Sequence, residues 1–111
     1  MRGEWWIVAD DGRVVIEELH FIVDPAEREE FLEVEARIWT GFLRTCDGFL
    51  KKEVWVPLDD QQRVVVMIWW ESMDQWKRIT AEQVAAVDAT MGRWLRDVDV
   101  FREYDVVRLD H

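Results

Sequence analysis

The sequence predicts a single α+β domain over residues 1–111, in the order β-α-β-β-α-β with an extra N-terminal β-hairpin strand. Three observations carry this. Arg63 to Trp76 reads RVVVMIWWESMDQW, a strand with Val64, Val66, Ile68 and Trp70 on one face and Val65, Met67 and Trp69 on the other. Neither face is polar, so the sheet must be covered on both sides. Two segments with helical apolar spacing, Phe31 to Leu43 and Val84 to Leu95, alternate with strand-like segments. Each helix opens on a side chain able to cap it. A chain of this length covers one sheet face with its own helices, and covering the second calls for another copy, so a homodimer through the sheet face is expected.

From the N-terminus, Trp5 to Val8, the turn Ala9-Asp10-Asp11-Gly12 and Arg13 to Ile16 form the hairpin, because Asp-Gly supplies the positive φ angles of a tight primed turn. The first main strand runs from about Val14 to Val23. Glu17, Leu19, Phe21 and Val23 share one of its faces, and Glu18, His20 and Ile22 the other. Asp24 is then an N-cap, Pro25 takes the first helical position where its missing N–H costs nothing, and Glu27 completes a capping box. Phe31, Val34, Ile38 and Phe42 form the apolar stripe, widened by Leu32, Trp39 and Leu43, and Asp47-Gly48 closes the helix. Phe49 to Val56 is the second strand, stopped by Pro57, and residues 58–62 turn it back antiparallel into the long apolar strand. Ser72 caps a short helix carrying Trp76. Thr80, three residues before Gln83, caps a longer helix with the stripe Val84, Val87, Met91, Trp94 and Leu95. Gly92 falls inside this helix, where it costs about 1 kcal/mol against Ala, so a close-packed neighbour is expected there. Val100 to Arg108 alternates as a last, partly exposed strand.

Half of the residues are hydrophobic and eight are Trp, a content that points to a lined cavity or an interface, because indole buries a large area while keeping a polar N–H. Lys and Arg number 14 against 24 Asp and Glu, and the net charge of -10 disfavours nucleic acid and anionic membrane as partners. The acidity is spread along the chain, as on a solvated surface. A lone Cys46 forms no internal disulfide, and with no signal-peptide pattern a reducing, cytoplasmic setting is expected. Cys46 sits at a helix end beside Asp47, where negative charge is disfavoured, so its role is structural. No apolar run is long enough to cross a bilayer.

Ile16-Glu17, Ile38-Trp39-Thr40, Gly48-Phe49-Leu50-Lys51-Lys52-Glu53-Val54-Trp55 and Gln75-Trp76-Lys77-Arg78-Ile79 resemble a family of small uncharacterised proteins best known from cyanobacteria, within the antibiotic biosynthesis monooxygenase-like, dimeric α+β barrel superfamily. The resemblance spans roughly Ile16 to Tyr104. It implies a ferredoxin-like fold, two sheets facing each other across a dimer, and a ligand pocket between each sheet and its helices. No activity comes with that smaller family; in the wider superfamily, cofactor-free monooxygenases attack phenolic polyketides, the deprotonated substrate itself donating an electron to oxygen. Trp70-Glu71-Ser72, leaving a strand into a helix, is shared with haem-degrading relatives. Those relatives carry an axial His on the following helix, where this chain has Arg78-Ile79-Thr80-Ala81, and many relatives use a first-strand Asn, whereas this chain contains no Asn.

Cofactor-free oxidation needs a base, a hydrogen-bond donor near a developing oxyanion, and an apolar enclosure. Glu17 and Glu35 are the candidate catalytic carboxylates, each beside an apolar stripe where desolvation raises a carboxyl pKa. The simpler reading is that each pairs with a cation or reaches solvent, and Lys51 or Lys52, pointing to opposite faces, is placed to neutralise one buried acid. Trp39, Trp70 and Trp76, with Arg102 or Tyr104 on the last strand, are the expected pocket residues for a small aromatic ligand. Trp5, Trp6, Trp55 and Trp69 suit dimer contacts equally well. No His, Cys and carboxylate cluster has metal-ligand spacing, and His20 alone reads as a hydrogen-bonded strand residue. The chain therefore reads as a small-molecule binder or cofactor-independent oxygenase, or else as a dimeric structural or regulatory module whose Trp residues serve core and interface.

Overall fold

The computed structural model describes residues 13–110, and the hairpin strand expected at Trp5 to Val8 lies outside the described residues. Four strands, β1 (Val15–Ile22), β2 (Phe49–Trp55), β3 (Arg63–Trp70) and β4 (Val100–Asp105), form one sheet in the order β2-β3-β1-β4. All three pairings are antiparallel. The two crossovers carry the helices: α1 (Arg28–Glu35) continuing through a π turn (Ala36–Thr40) into α2 (Gly41–Leu43), and α3 (Met73–Trp76) followed by α4 (Ala81–Met91). This is the expected α+β, ferredoxin-like arrangement.

The strand with two apolar faces lies at the centre of the sheet, as its pattern demands. Val64, Val66, Ile68 and Trp70 pack with Phe31, Leu43, Trp76, Met91 and Trp94 on the helix side. On the second face Val65, Met67 and Trp69 cluster with Val14, and Ile16, Leu50 and Val106 pack against them. In the single chain these three are only 6%, 7% and 8% exposed. The uncovered apolar surface of this face lies further out, at Ile22 and Trp55, 44% and 47% exposed.

The first helix begins only in part as its sequence predicts. The Asp24 carboxylate accepts from the Ala26 N–H at 2.9 Å and Pro25 stands at the start of a 3₁₀ turn, Pro25–Glu27. Glu27 does not close a capping box: its carboxylate accepts from Arg96 at 3.3 Å, a longer-range partner that ties the helix start to the segment after α4. Ser72 caps α3 through the Gln75 N–H, and Thr80 and Gln83 form a reciprocal capping box on α4. Gly92 is not inside that helix. It takes φ +57°, a conformation that favours glycine, and ends α4, with nothing within 4 Å of where a Cβ would stand. Gly48, φ +87°, is the close-packed glycine instead: a Cβ there would meet the Gln75 side chain at 2.7 Å.

Two irregularities shape the helix side of the sheet. The π turn replaces α-helical bonding in the middle of the first helix, closing with the Gly41 N–H on the Ala36 carbonyl. A bulge at Leu50 shifts the register of β2, so that Phe49 faces Trp70 while Lys51 faces Trp69 and Lys52 faces Ile68.

Candidate functional site

Between the helix-side face of the sheet and the helices lies a cavity of about 270 Å³. Its floor is Glu17, Leu19 and Phe21 of β1 with Val66, Ile68 and Trp70 of β3. One wall is Phe31, Glu35, Trp39 and Leu43. These positions recur at four-residue steps, and in an α-helix each such step overshoots a turn by about 40°. The wider π turn takes back this drift, which keeps Glu35, Trp39 and Leu43 on one side. The opposite wall is Trp76, Lys77 and Ile79, then Val84, Asp88 and Met91 of α4, and Leu95, Arg96 and Val98 after it. Trp70 and Trp76 lie nearly parallel, 8° apart with ring centroids at 6.5 Å.

Five charged side chains face this mainly apolar space, and three are neutralised by partners. Glu35, 6% exposed, accepts from Lys52 Nζ at 2.6 Å, and the same ammonium donates to Thr40 Oγ1 at 2.9 Å. Lys77 donates to Glu103 at 3.2 Å while its ammonium sits 3.9 Å from the Trp76 ring centroid. Arg96 is held by Glu27 and by the backbone carbonyls of Arg93 and Leu95.

Glu17 and Asp88 differ. Glu17 accepts from the Trp70 indole N–H at 3.2 Å, and burial lifts its carboxyl from the ordinary 4.5 to about 7, against the opposing pull of that indole and of Lys77. Asp88 is likewise raised by burial, with the Trp39 indole acting in the lowering direction. Neither carboxylate forms an ion pair among the described residues.

Of the residues singled out from the sequence, Glu17, Glu35, Trp39, Trp70 and Trp76 come together in this cavity. Arg102 and Tyr104 do not line it. In the β1–β4 register they stand opposite Glu18 and Ile16, on the second face, and Tyr104 donates to Glu18 there. Strand β4 is exposed along most of both faces, so its alternation carried no sign of which side met the helices. On β4 it is Phe101, its ring centroid 6.3 Å from that of Trp76, and Glu103, through Lys77, that reach the cavity wall. His20 shares the second face, between Glu18 at 2.5 Å and Arg63 at 3.2 Å. Cys46 contacts the Phe42 carbonyl, and burial first, then Asp47, pushes its thiol up, away from an activated thiolate.

Sequence patterns did not single out Asp88 or Lys77. Asp88 had a signal, since Val84, Asp88 and Met91 are spaced i, i+4, i+7 and an acid at the middle of an apolar stripe is out of place on a core-facing helix. Lys77 stood only within the family-like segment Gln75 to Ile79, and a lysine after a short helix is ordinarily solvated.

The sheet order, the helix-covered face and the aromatic cavity define a ferredoxin-like protein with an aromatic-lined cavity between sheet and helices. Residues 14–89, about two thirds of the chain, match the antibiotic biosynthesis monooxygenase family, and the chain belongs to it. Among solved structures, a Caulobacter crescentus protein described as a candidate antibiotic biosynthesis monooxygenase is similar, with 20% identity, a TM-score of 0.69, and coverage of 88% of this chain and 93% of that one. SnoaB, a cofactor-independent oxygenase from Streptomyces nogalater, shares 18% identity with a TM-score of 0.64 over 88% of this chain and 96% of its own. A conserved protein from Methanosarcina mazei is similar at 12% identity and a TM-score of 0.64, over 86% and 94%. At such identities the likeness is one of fold. No curated protein matches in sequence.

Proposed function

We propose that the chain binds a small aromatic hydroxy compound between sheet and helices and oxidises it without a cofactor, with Glu17 as the base. The observation that carries this is the Glu17 carboxyl, without an ion-pair partner among the described residues, at the floor of an indole-walled cavity and poised to exchange a proton near pH 7. Its carboxylate takes the phenolic proton. The resulting anion lies near Lys77, whose ammonium opposes the cost of placing negative charge in an apolar space. Electron transfer from that anion to O₂ and recombination at an activated ring methylene then convert CH₂ and O₂ into C=O and H₂O. The substrate supplies all four electrons and O₂ accepts them. Glu35 is assigned a supporting role, since Lys52 already neutralises it and Thr40 anchors the pair.

Oxygen uptake by the purified protein with quinols and anthrone-type phenols tests this. Glu17→Gln is expected to reduce turnover by about 10²-fold or more, the usual contribution of a positioned base, while retaining the ligand. Undiminished turnover in Glu17→Gln would remove Glu17 from the chemistry. Binding without any oxygen uptake would leave a carrier of the same ligand class.

A second reading is supported by a different observation. Ile22 and Trp55 expose apolar surface on the sheet face away from the cavity, which suits a homodimer across that face, as in the dimeric barrel arrangement the sequence resembles. A cytoplasmic setting accords with the lone thiol of Cys46. No helix among the described residues is long and apolar enough to cross a membrane.

A further inference from the structure

We propose that Glu103, on the edge strand β4, is a positioning residue for the Glu17 end of the cavity: it engages the Lys77 ammonium, keeps it from pairing with the Glu17 carboxylate, and so leaves Glu17 free to act as a base. The inference rests on the preceding reading that Glu17 takes a phenolic proton, and it explains how a base and a cation share one end of a cavity without neutralising each other.

A closed circuit of contacts supports it. The Trp70 indole donates to Glu17 at 3.2 Å, and Trp70 lies nearly parallel to Trp76. The Lys77 ammonium stands over the Trp76 ring, 3.9 Å from its centroid, and donates to Glu103 at 3.2 Å. Glu103 in turn is directly opposite Glu17 in the β1–β4 register, on the same face of the sheet. Two carboxylates in that relation repel when both are charged, and one ammonium beside them can pair with either. It pairs with Glu103, the more exposed of the two, and among the described residues Glu17 forms no ion pair. Were Lys77 to pair with Glu17 instead, the ion pair would hold that carboxylate in its charged form and weaken it as a proton acceptor. Lys77 and Glu103 act on Glu17 in opposite directions, the first lowering and the second raising its affinity for a proton. Once Glu17 has taken the phenolic proton it is neutral, and the ammonium, still anchored by Glu103 and Trp76, is left to face the phenolate. The other charged groups around the cavity are Glu35 with Lys52, Arg96 with Glu27, and Asp88 of α4, while β3, on the other side of β1, presents only apolar side chains and the Trp70 indole to this face. These groups are the same in every variant below.

Two measurements follow the Glu17 proton: the acidic limb of kcat/KM against pH, from oxygen uptake with an anthrone-type phenol, and the carboxyl-carbon NMR titration of Glu17, its signal identified by loss in Glu17→Gln. Glu103→Gln releases Lys77 to Glu17 and is expected to move both to lower pH by about one unit, whereas Lys77→Met is expected to move both to higher pH by a similar amount. In the Lys77→Met background, Glu103→Gln should shift the titration by about half as much or less, the coupling that marks a residue acting through another. A Glu103→Gln rate lowered evenly across pH, with limb and titration unmoved, overturns the assignment by leaving Glu103 a structural part of the strand. An equal shift in both backgrounds overturns it too, by reducing Glu103 to a like-charge neighbour. If no phenol supports oxygen uptake while the NMR titration shifts as stated, the oxidation reading falls and the assignment of Glu103 to Lys77 stands. Lys77 and Glu103 are 54% and 36% exposed, and the two single variants shift the titration in opposite directions, so either one decides the matter where the other does not fold.

Discussion

Glu17 shows how a single residue links stability to chemistry. Its carboxyl is near 4.5 when unfolded and about 7 when folded, so between these values the folded chain holds a proton that the unfolded chain has released. Stability contributed at this site is therefore present below pH 4.5 and lost as pH rises through 7. The cost above pH 7 is at most about 3 kcal/mol, reduced by whatever solvent reaches the carboxylate. Glu17→Gln carries no such charge, and it is expected to be more stable than the wild type by ~1–3 kcal/mol at pH 8 and nearly equal to it at pH 4.5. Urea unfolding of both proteins at the two pH values measures this. A constant difference between them would show that burial of the charge is not what distinguishes the residues. Glu17 was legible from sequence because an acid among Leu19, Phe21 and Val23 breaks an otherwise apolar face. Arg102 and Tyr104 were not, because polar residues on an exposed strand look the same on either side.

The elements were legible where local chemistry alone decides them. Ser72 and Thr80 caps appear where a hydroxyl stands three residues before Gln, and the β2–β3 hairpin follows from Pro57 and its loop. The π turn was not legible. It widens a helix whose stripe of Phe31, Val34, Ile38 and Phe42 reads as ordinary α periodicity, and what stabilises Glu35 at the cavity is Lys52, 17 residues away on β2. Gly92 was hidden for a related reason: apolar spacing continues through Trp94, although the backbone turns there. Gly48 is where glycine is required, because it combines φ +87° with a Gln75 side chain that would stand 2.7 Å from any Cβ, and its carbonyl accepts from the Glu71 N–H at 2.7 Å across the β2–β3 end. Gly48→Ala is expected to cost ~1–3 kcal/mol through strain and displacement of Gln75. Gly92→Ala, free of the clash, should cost less. Thermal melts of the two variants compare them, and a larger loss at Gly92 would contradict the packing explanation.

For the whole molecule, the two-sided apolar β3 made a layered sheet legible from the amino-acid order alone, but not the means of covering its second face. Val65, Met67 and Trp69 are buried, and Ile22 and Trp55 leave apolar surface exposed on the same face, where a second copy is expected to pack. A mass near twice 13.4 kDa in light scattering is the expected result. Trp55→Glu, which places charge in that contact, should shift it to the single-chain mass. A wild-type mass of 13.4 kDa at high protein concentration would instead assign Ile22 and Trp55 to the solvated surface.

The bulge at Leu50 has a bearing on how this site tolerates change. Slipping a strand by one residue normally exchanges every side chain between faces, which would strip Glu35 of its counter-charge. Here the residue that would arrive is Lys51, chemically identical to the Lys52 it would replace. The tandem lysines thus give β2 two registers that each bring an ammonium to the same face. Deletion of one of the two lysines, ordinarily ruinous to a buried ion pair, is therefore expected to leave an ammonium opposite Glu35.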